Sequence, residues 1–236
     1  MTQPGGEGTS PPGFEELPGQ AQSRIQALLG LLETDPEAPT TVADRATAMQ
    51  VHVADSLAGL VFGELESASS ICDLGAGAGF PGLVLAAALP GARVDLLESI
   101  GRKCEFMERA IATMGLENAR VVCDRAETWA LGEGSGAYDV VTARAVARLS
   151  TLAELASPLL ADGGALLAWK GRRDPDEEAE MERAAEALAM APAAIRWSGP
   201  YAGSENRHLH LLRKSGPTPA GIPRRPGMAK KRPRGS

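Results

Sequence analysis

The sequence has few cysteines, few aromatic residues and no apolar run long enough to cross a membrane. Its three cysteines, Cys72, Cys104 and Cys123, show neither Cys-x-x-Cys nor histidine-rich spacing, which predicts reduced, mostly buried thiols rather than disulfides or a metal site. The longest apolar stretch, Leu83 to Leu89, is far below the roughly 20 residues of a membrane-spanning helix. The polar start also lacks the pattern of a signal peptide. We therefore expect a cytoplasmic protein that holds no metal.

Acidic residues outnumber basic ones, but the balance reverses at the carboxyl terminus. The chain has 30 acidic and 24 basic side chains, for a net charge of −6. Residues 213–236 contain no acid and eight basic side chains, namely Arg213, Lys214, Arg224, Arg225, Lys230, Lys231, Arg232 and Arg234. Such a block is typical of an arm that contacts nucleic acid, and a solvated tail explains the charge equally well.

Four segments follow one another along the chain. A leader over 1–14 is rich in Pro, Gly and Ser and is predicted to be disordered. Residues 15–60 predict an N-terminal helical extension, with one amphipathic helix ending at Asp35-Pro36 and a second from about residue 43 to 60. Over 61–214 short β-branched runs alternate with helical segments, and the basic arm occupies 215–236. The alternation predicts a doubly wound α/β domain with a mainly parallel seven-stranded sheet, completed by an antiparallel pair at its end.

A glycine-rich turn follows the first predicted strand. Gly77, Gly79 and Gly82 satisfy the G-x-G-x-x-G pattern of dinucleotide sites, whereas Gly75, Gly77 and Gly79 form the G-x-G-x-G of S-adenosylmethionine enzymes. Asp73 stands directly before the turn, where a carboxylate would repel a pyrophosphate and could pair with the ammonium group of S-adenosylmethionine. We therefore expect S-adenosylmethionine as the cofactor, with Asp73 and these glycines around it.

Two further acidic positions fall at the ends of the next strands. Glu98 ends the second strand, where it could bind the ribose hydroxyls of a cofactor or cap the following helix. After the third strand, Asp124, Ala126 and Glu127 lie where an adenine edge would be read, although Asp124 could equally cap a helix there.

Several motifs resemble those of the ribosomal RNA small subunit methyltransferase G family. They are DLGAGAGFPGL, LLESIGRKCEFM, DRAE, ARAVA, WKG and the terminal PRRPGMAKKRP, in matching order over roughly residues 50 to 233. The resemblance implies a class I S-adenosylmethionine-dependent methyltransferase fold with N-terminal helices. It also implies methylation of N7 of a guanine in 16S ribosomal RNA. Rival interpretations are a small-molecule methyltransferase, which the low aromatic content of 4% disfavours, and a nucleotide-binding module without turnover.

Carried over residue by residue, the resemblance places the cofactor against Gly75, Phe80, Ala126 and Glu127, with Arg144 facing the site. The chain departs from the family pattern in one region. Ala38-Pro39-Thr40-Thr41 stands where the family has Asn-Leu-Thr, and Val51 replaces an arginine that precedes His52 in the family motif.

Guanine N7 carries a lone pair and no proton at neutral pH, so its methylation needs no general base. We expect catalysis by positioning and electrostatics, with Arg144 as the catalytic residue that binds a phosphate or the guanine O6 edge. The alternative for Arg144 is a structural ion pair with Asp124, Glu127 or Asp139.

We expect the protein to act as a monomer on 16S ribosomal RNA, either free or within the small ribosomal subunit. A track of basic side chains is predicted to hold the RNA phosphates, although each of them could instead be an ordinary solvated charge. Its members are Arg102, Lys103, Arg125, Lys170, Arg224, Arg225 and Lys231.

Overall fold

A seven-stranded sheet forms the centre of the computed structural model, which describes residues 13–42 and 44–236. The strands are β1 (Ser70–Leu74), β2 (Arg93–Glu98), β3 (Ala119–Cys123), β4 (Tyr138–Arg144), β5 (Leu160–Lys170), β6 (Met190–Trp197) and β7 (His208–Lys214). Their order is β3-β2-β1-β4-β5-β7-β6. Strands β1 to β5 pair in parallel, and β7 runs antiparallel to both of its neighbours, β5 and β6. The mainly parallel sheet with a terminal antiparallel pair is thus confirmed.

Helices cover both faces of this sheet. They are α1 (Gly19–Thr34), α2 (Arg45–Ala48), α3 (Asp55–Leu57), α4 (Gly63–Glu66), α5 (Gly82–Ala88), α6 (Gly101–Met114), α7 (Ala126–Trp129), α8 (Leu149–Ala156), α9 (Pro175–Leu188) and α10 (Met228–Lys231). The strands alternate their apolar side chains between the two faces, so that Ile71 packs towards α5 and α6 while Cys72 packs towards α8 and α9.

The N-terminal helix α1 packs on the same core as the sheet helices. Five of its apolar residues recur at helical spacing and are buried, namely Ala21, Ile25, Leu28, Leu29 and Leu32. The helix contacts α5 and α6. Residues 1–12 of the predicted leader lie outside the described residues, and Phe14, at its end, is buried in this core.

The second predicted helix is interrupted. In place of one helix over 43–60, α2 passes into a π-helical turn, Met49–Ala54, then into α3 and a 3-10 turn, Ala58–Val61. Asp44 caps α2 by accepting hydrogen bonds from the backbone N–H groups of Ala46 and Thr47. The π-helical turn buries three consecutive residues, His52, Val53 and Ala54. The regular spacing of an α-helix would turn at least one of them away from the core, so the sequence period does not predict this burial.

In the described ranges, no helix combines the length and apolar character needed to span a bilayer.

Candidate functional site

A cavity of about 870 Å³ opens at the carboxyl ends of β1 to β4. The carboxyl ends of parallel strands meet at one edge of a sheet, so the loops that follow them converge there. The size falls in the range of about 300–1,000 Å³ that is usual for small-molecule sites. Six cationic side chains and three carboxylates line it: Lys103, Arg125, Arg144, Arg207, Lys230, Lys231, Glu98, Asp124 and Glu127.

The glycine-rich turn after β1 forms one wall of the cavity. Gly75, Gly77 and Gly79 have φ values of +71°, +62° and +89°, a left-handed backbone that favours glycine. A Cβ on Gly79 would lie 2.2 Å from Leu83 Cδ1, whereas a Cβ on Gly77 would meet no atom closer than 3.8 Å. Backbone conformation rather than crowding therefore requires glycine at position 77, and the chain there stays open to a ligand.

Asp73 lies beneath this turn and is not among the residues that line the cavity, and its predicted contact with the cofactor ammonium, direct or through water, stays a prediction. It is 1% exposed. Gly82 N–H donates to its Oδ2 at 2.9 Å, and the Thr142 hydroxyl donates to its Oδ1 at 2.9 Å. Because Gly82 is the first residue of α5, Asp73 binds a backbone donor that the helix itself leaves free. Burial raises the pKa of Asp73 to about 6, against the smaller opposing effect of these two hydrogen bonds.

Glu98 performs the capping role and also faces the cavity. Its Oε1 accepts from the backbone N–H groups of Ser99 and Ile100 at 2.8 and 3.0 Å, just before α6. Its Oε2 accepts from Gly77 N–H at 3.1 Å, and Lys103 Nζ lies 3.7 Å away. One carboxylate thus holds the glycine turn and the start of α6 in register. Its predicted contact with a ribose stays a prediction.

Ala126 and Glu127 open α7 at the opposite side of the cavity. The Asp124 carboxylate accepts from the backbone N–H of Arg125, the residue directly before α7, at 2.7 Å, and from no N–H within the described residues of that helix. Glu127 Oε1 accepts from Gly227 N–H, 100 positions further along the chain, at 2.7 Å. The C-terminal arm therefore returns to the cavity.

Arg144 ends β4 and points into the cavity, where it is 13% exposed. Its Nη1 donates to Asp55 Oδ2 and to the Val51 carbonyl, both at 3.1 Å. The guanidinium also lies over the Phe80 ring, 5.4 Å from its centroid. Arg144 therefore forms a structural ion pair, which was the alternative role considered for it. Its partner is Asp55 rather than Asp124, Glu127 or Asp139.

His52 completes this arrangement and was not predicted as a site residue. Its ring stacks on Phe80 with centroids 4.5 Å apart. Burial, with the positive charges of Arg144 and Arg207, lowers the pKa of His52 to about 4, so the ring is neutral at pH 7. Arginine only donates, and its Nη2 lies 3.3 Å from His52 Nδ1. The ring proton therefore sits on Nε2, which donates to Thr40 Oγ1 at 3.0 Å.

Asp55 lies between two guanidinium groups. It is 1% exposed, and Arg207 Nε stands 3.8 Å from its Oδ1. Arg207 also lines the cavity, although nothing in its sequence context distinguishes it from other basic residues. The family motif around His52, which the sequence also continues with Asp55 three residues later, was the available signal for this cluster. Only the contacts of His52 and Asp55 with Arg144 show what these two residues do.

The seven basic residues predicted to contact RNA divide by position. Lys103, Arg125 and Lys231 line the cavity, and Lys230 joins them there. Arg102 and Arg225 are exposed and lie away from the lining.

Lys170 and Arg224, two of the residues predicted to contact RNA, form ion pairs within the protein, and their contact with RNA stays a prediction. Lys170 Nζ lies 2.6 Å from Glu177 Oε1 and donates to the Ala147 carbonyl. Arg224 pairs with Glu154 through two hydrogen bonds, at 2.6 and 2.5 Å. Both side chains therefore stabilise the fold as it stands, because each carboxylate is almost completely buried.

Comparisons with known proteins agree with this geometry. A family model described as rRNA small subunit methyltransferase G matches residues 37–209. Two curated relatives carry the name Ribosomal RNA small subunit methyltransferase G. The one from Geobacillus thermodenitrificans is 36% identical over 196 residues, covering 82% of this chain and 82% of the relative. The one from Moorella thermoacetica is 36% identical over 200 residues, covering 82% and 81%.

The fold comparison points the same way. A SAM-dependent methyltransferase from Aquifex aeolicus superposes with a TM-score of 0.56 at 13% identity, covering 79% of this chain and 96% of that one. The sheet order and this likeness identify the class I methyltransferase fold. Because the family match spans both the glycine turn and the Arg144 cluster, the chain belongs to the rRNA small subunit methyltransferase G family and is an S-adenosylmethionine-dependent rRNA methyltransferase.

Proposed function

We propose that this methyltransferase modifies N7 of a guanine in 16S ribosomal RNA, and that it does so without a general base. We further propose that it acts as a monomer in the cytoplasm, on RNA that is free or assembled in the small subunit. The proposal is carried by the state of the titratable groups around the cavity. His52 is neutral and its Nδ1 accepts from Arg144, while Glu98 and Glu127 accept from backbone N–H groups. A reaction at N7 needs no proton removed, which fits groups already engaged in this way.

The residues present fit S-adenosylmethionine, which supplies an electrophilic methyl group when bound. The open backbone at Gly77 would admit the cofactor closely, and Glu98 faces the same space. Gly75, Phe80, Ala126 and Glu127, which the resemblance assigns to the cofactor, all line the cavity. Gly79 and Asp73 do not line the cavity and would support cofactor binding by fixing the shape of the turn: Gly79 through its left-handed backbone and Asp73 through its hydrogen bond with Gly82.

Arg144 is the residue proposed to orient the target base. A guanidinium has five N–H donors, and the described structure engages three of them, with Val51, Asp55 and His52. Two donors remain for the guanine O6 or a phosphate oxygen. Because Asp55 and the His52 ring fix the plane of the group, it would meet the base without first having to be ordered.

The RNA backbone is proposed to approach over the rim of the cavity. Three separate parts of the fold carry the cations of this rim: α6 with Lys103, the residue before α7 with Arg125, and α10 with Lys230 and Lys231. Phosphates would be attracted to this local patch although the whole chain carries a net charge of −6.

The test is methyl transfer from labelled S-adenosylmethionine to naked 16S RNA and, separately, to small-subunit particles. Reduction followed by aniline treatment cleaves RNA at N7-methylguanine, so a labelled nucleotide that marks a cleavage site supports the proposal. Label at any other atom would overturn it.

Arg144→Lys tests the mechanism in the same assay. We expect transfer to fall by about 100-fold or more while S-adenosylhomocysteine still binds, because a lysine cannot reproduce the oriented fork. Arg172→Lys, at an exposed position away from the cavity, is the matched control and should retain activity. Near-normal transfer by Arg144→Lys would contradict the assigned role.

A further inference from the structure

The C-terminal arm folds back onto the domain and forms part of the cavity wall. The family match ends at residue 209, so it does not cover the arm. Gly227, Ala229, Lys230 and Lys231 all line the cavity, and Ala229 is buried at 3% exposure. A tail that served only to attract RNA would not need a buried residue or a fixed path.

The arm is attached at its base by an ion pair. Arg224 donates to both carboxylate oxygens of Glu154, which is 1% exposed, and its Nη2 also donates to the Arg232 carbonyl at 2.8 Å. A buried carboxylate is stable only when it is paired, so Glu154 holds Arg224 in place. The contact with Arg232 closes the segment between them into a loop.

The tip of that loop is attached at the cavity itself. Gly227, with φ +81°, turns the chain so that its N–H meets Glu127 Oε1 at 2.7 Å. Two residues later the Thr151 hydroxyl donates to the Ala229 carbonyl at 3.2 Å. These contacts place the short helix α10, with Lys230 and Lys231, at the cavity rim.

We propose that residues 224–231 are a wall of the S-adenosylmethionine site and are required for cofactor binding before any RNA is present. Glu127 is the shared element, since it holds Gly227 and faces the cavity with the same carboxylate. Cofactor and arm therefore stabilise each other. The proposal rests on the proposed placement of the cofactor in this cavity.

The reciprocity supplies a test on the unmodified protein. If an ordered arm raises the affinity for the cofactor by some factor, the bound cofactor must favour the ordered arm by the same factor. S-adenosylhomocysteine should slow tryptic cleavage at the basic residues of the arm, read by mass spectrometry of the released peptides. Saturating S-adenosylhomocysteine without any protection of the arm would overturn the proposal.

A variant tests the same coupling from the other side. Arg224→Gln should weaken S-adenosylhomocysteine binding, measured by calorimetry without RNA, by about tenfold, within the range of about 5–150-fold typical of coupled sites. Arg173→Gln is the matched control, because it removes a two-bond arginine pair with Glu178 away from the cavity. An unchanged affinity in a folded Arg224→Gln protein, with its arm cleaved faster, would also overturn the proposal.

A third variant separates this inference from the proposed site. Ser99 is exposed and lines the cavity beside Glu98, so Ser99→Trp fills the cavity from a solvent-facing position. If Ser99→Trp abolishes binding and Arg224→Gln leaves it intact, the arm has no part in the site. If neither variant changes the affinity, the cofactor binds elsewhere and the proposed site fails together with the inference.

Discussion

Burial of Asp73 should make the stability of this protein depend on pH in a defined direction. The carboxyl has an ordinary pKa of 3.8, and burial raises the pKa to about 6 in the fold. A difference of about 2 in pKa corresponds to about 3 kcal/mol of unfolding free energy. Because the folded value is the higher one, this contribution is present below pH 3.8 and is lost as the pH rises through 6. Roughly half of this loss, on the order of 1 kcal/mol, falls between pH 5 and pH 8.

Asp73→Asn isolates this contribution. The amide stays uncharged, and it can still accept from Gly82 N–H and donate to the Thr142 hydroxyl. Urea unfolding of both proteins should show that, between pH 5 and pH 8, the unfolding free energy of the variant rises relative to that of the unmodified protein by on the order of 1 kcal/mol. Comparing the two proteins removes the pH dependence of all other groups.

Thr142→Val gives a second, independent test of the pKa of Asp73. The Thr142 hydroxyl lowers the pKa of Asp73, so its removal should move the loss of stability to higher pH. A difference between Asp73→Asn and the unmodified protein that stays constant from pH 5 to pH 8 would refute the reasoning. It would mean that Asp73 does not change its charge in the fold over that interval.

Two further substitutions test the sheet and the glycine turn. Tyr138→Phe should lower the free energy of unfolding by about 1–3 kcal/mol in urea titrations, because the hydroxyl accepts from Trp129 Nε1 at 2.8 Å and donates to buried Asp95 at 2.7 Å. Unchanged stability would show that water replaces it. Gly79→Ala should weaken S-adenosylhomocysteine binding at least about tenfold by calorimetry, because the position has φ +89° and its Cβ would lie 2.2 Å from Leu83. Affinity within twofold of the unmodified protein would contradict a rigid turn.

The sheet could be predicted from the sequence because its signals are local. Short β-branched runs, separated by segments of helical period, identify the strands and require crossover connections between them. The glycine turn is predictable for the same reason, since three glycines after a buried strand are enough to indicate a left-handed path. The interrupted segment after α2 was missed because its π-helical turn depends on which side chains the core accepts.

The partners of the charged residues could not be predicted in the same way. Asp73 precedes the turn in the sequence, but whether its carboxylate faces a ligand or the start of α5 depends on how the turn closes over it. Arg144 was considered beside Asp124, Glu127 and Asp139, and it pairs with Asp55, 89 positions earlier in the chain. Such contacts are set by how separate loops meet at the edge of the sheet, and no local period encodes that.

Acidic and basic side chains have different tasks at this cavity. Glu98 and Glu127 each accept a backbone N–H from another loop, and Asp55 accepts from Arg144 from below. The carboxylates therefore determine the shape of the cavity, because they join the glycine turn, the arm and the N-terminal segment to it. Basic side chains stand at the rim of the cavity, and two of them also lie near its carboxylates: Lys103 Nζ is 3.7 Å from Glu98 and Arg125 Nε is 3.5 Å from Glu127. The local group of cations is therefore what would attract a polyanion such as RNA to this edge, although acidic residues are in the majority along the chain.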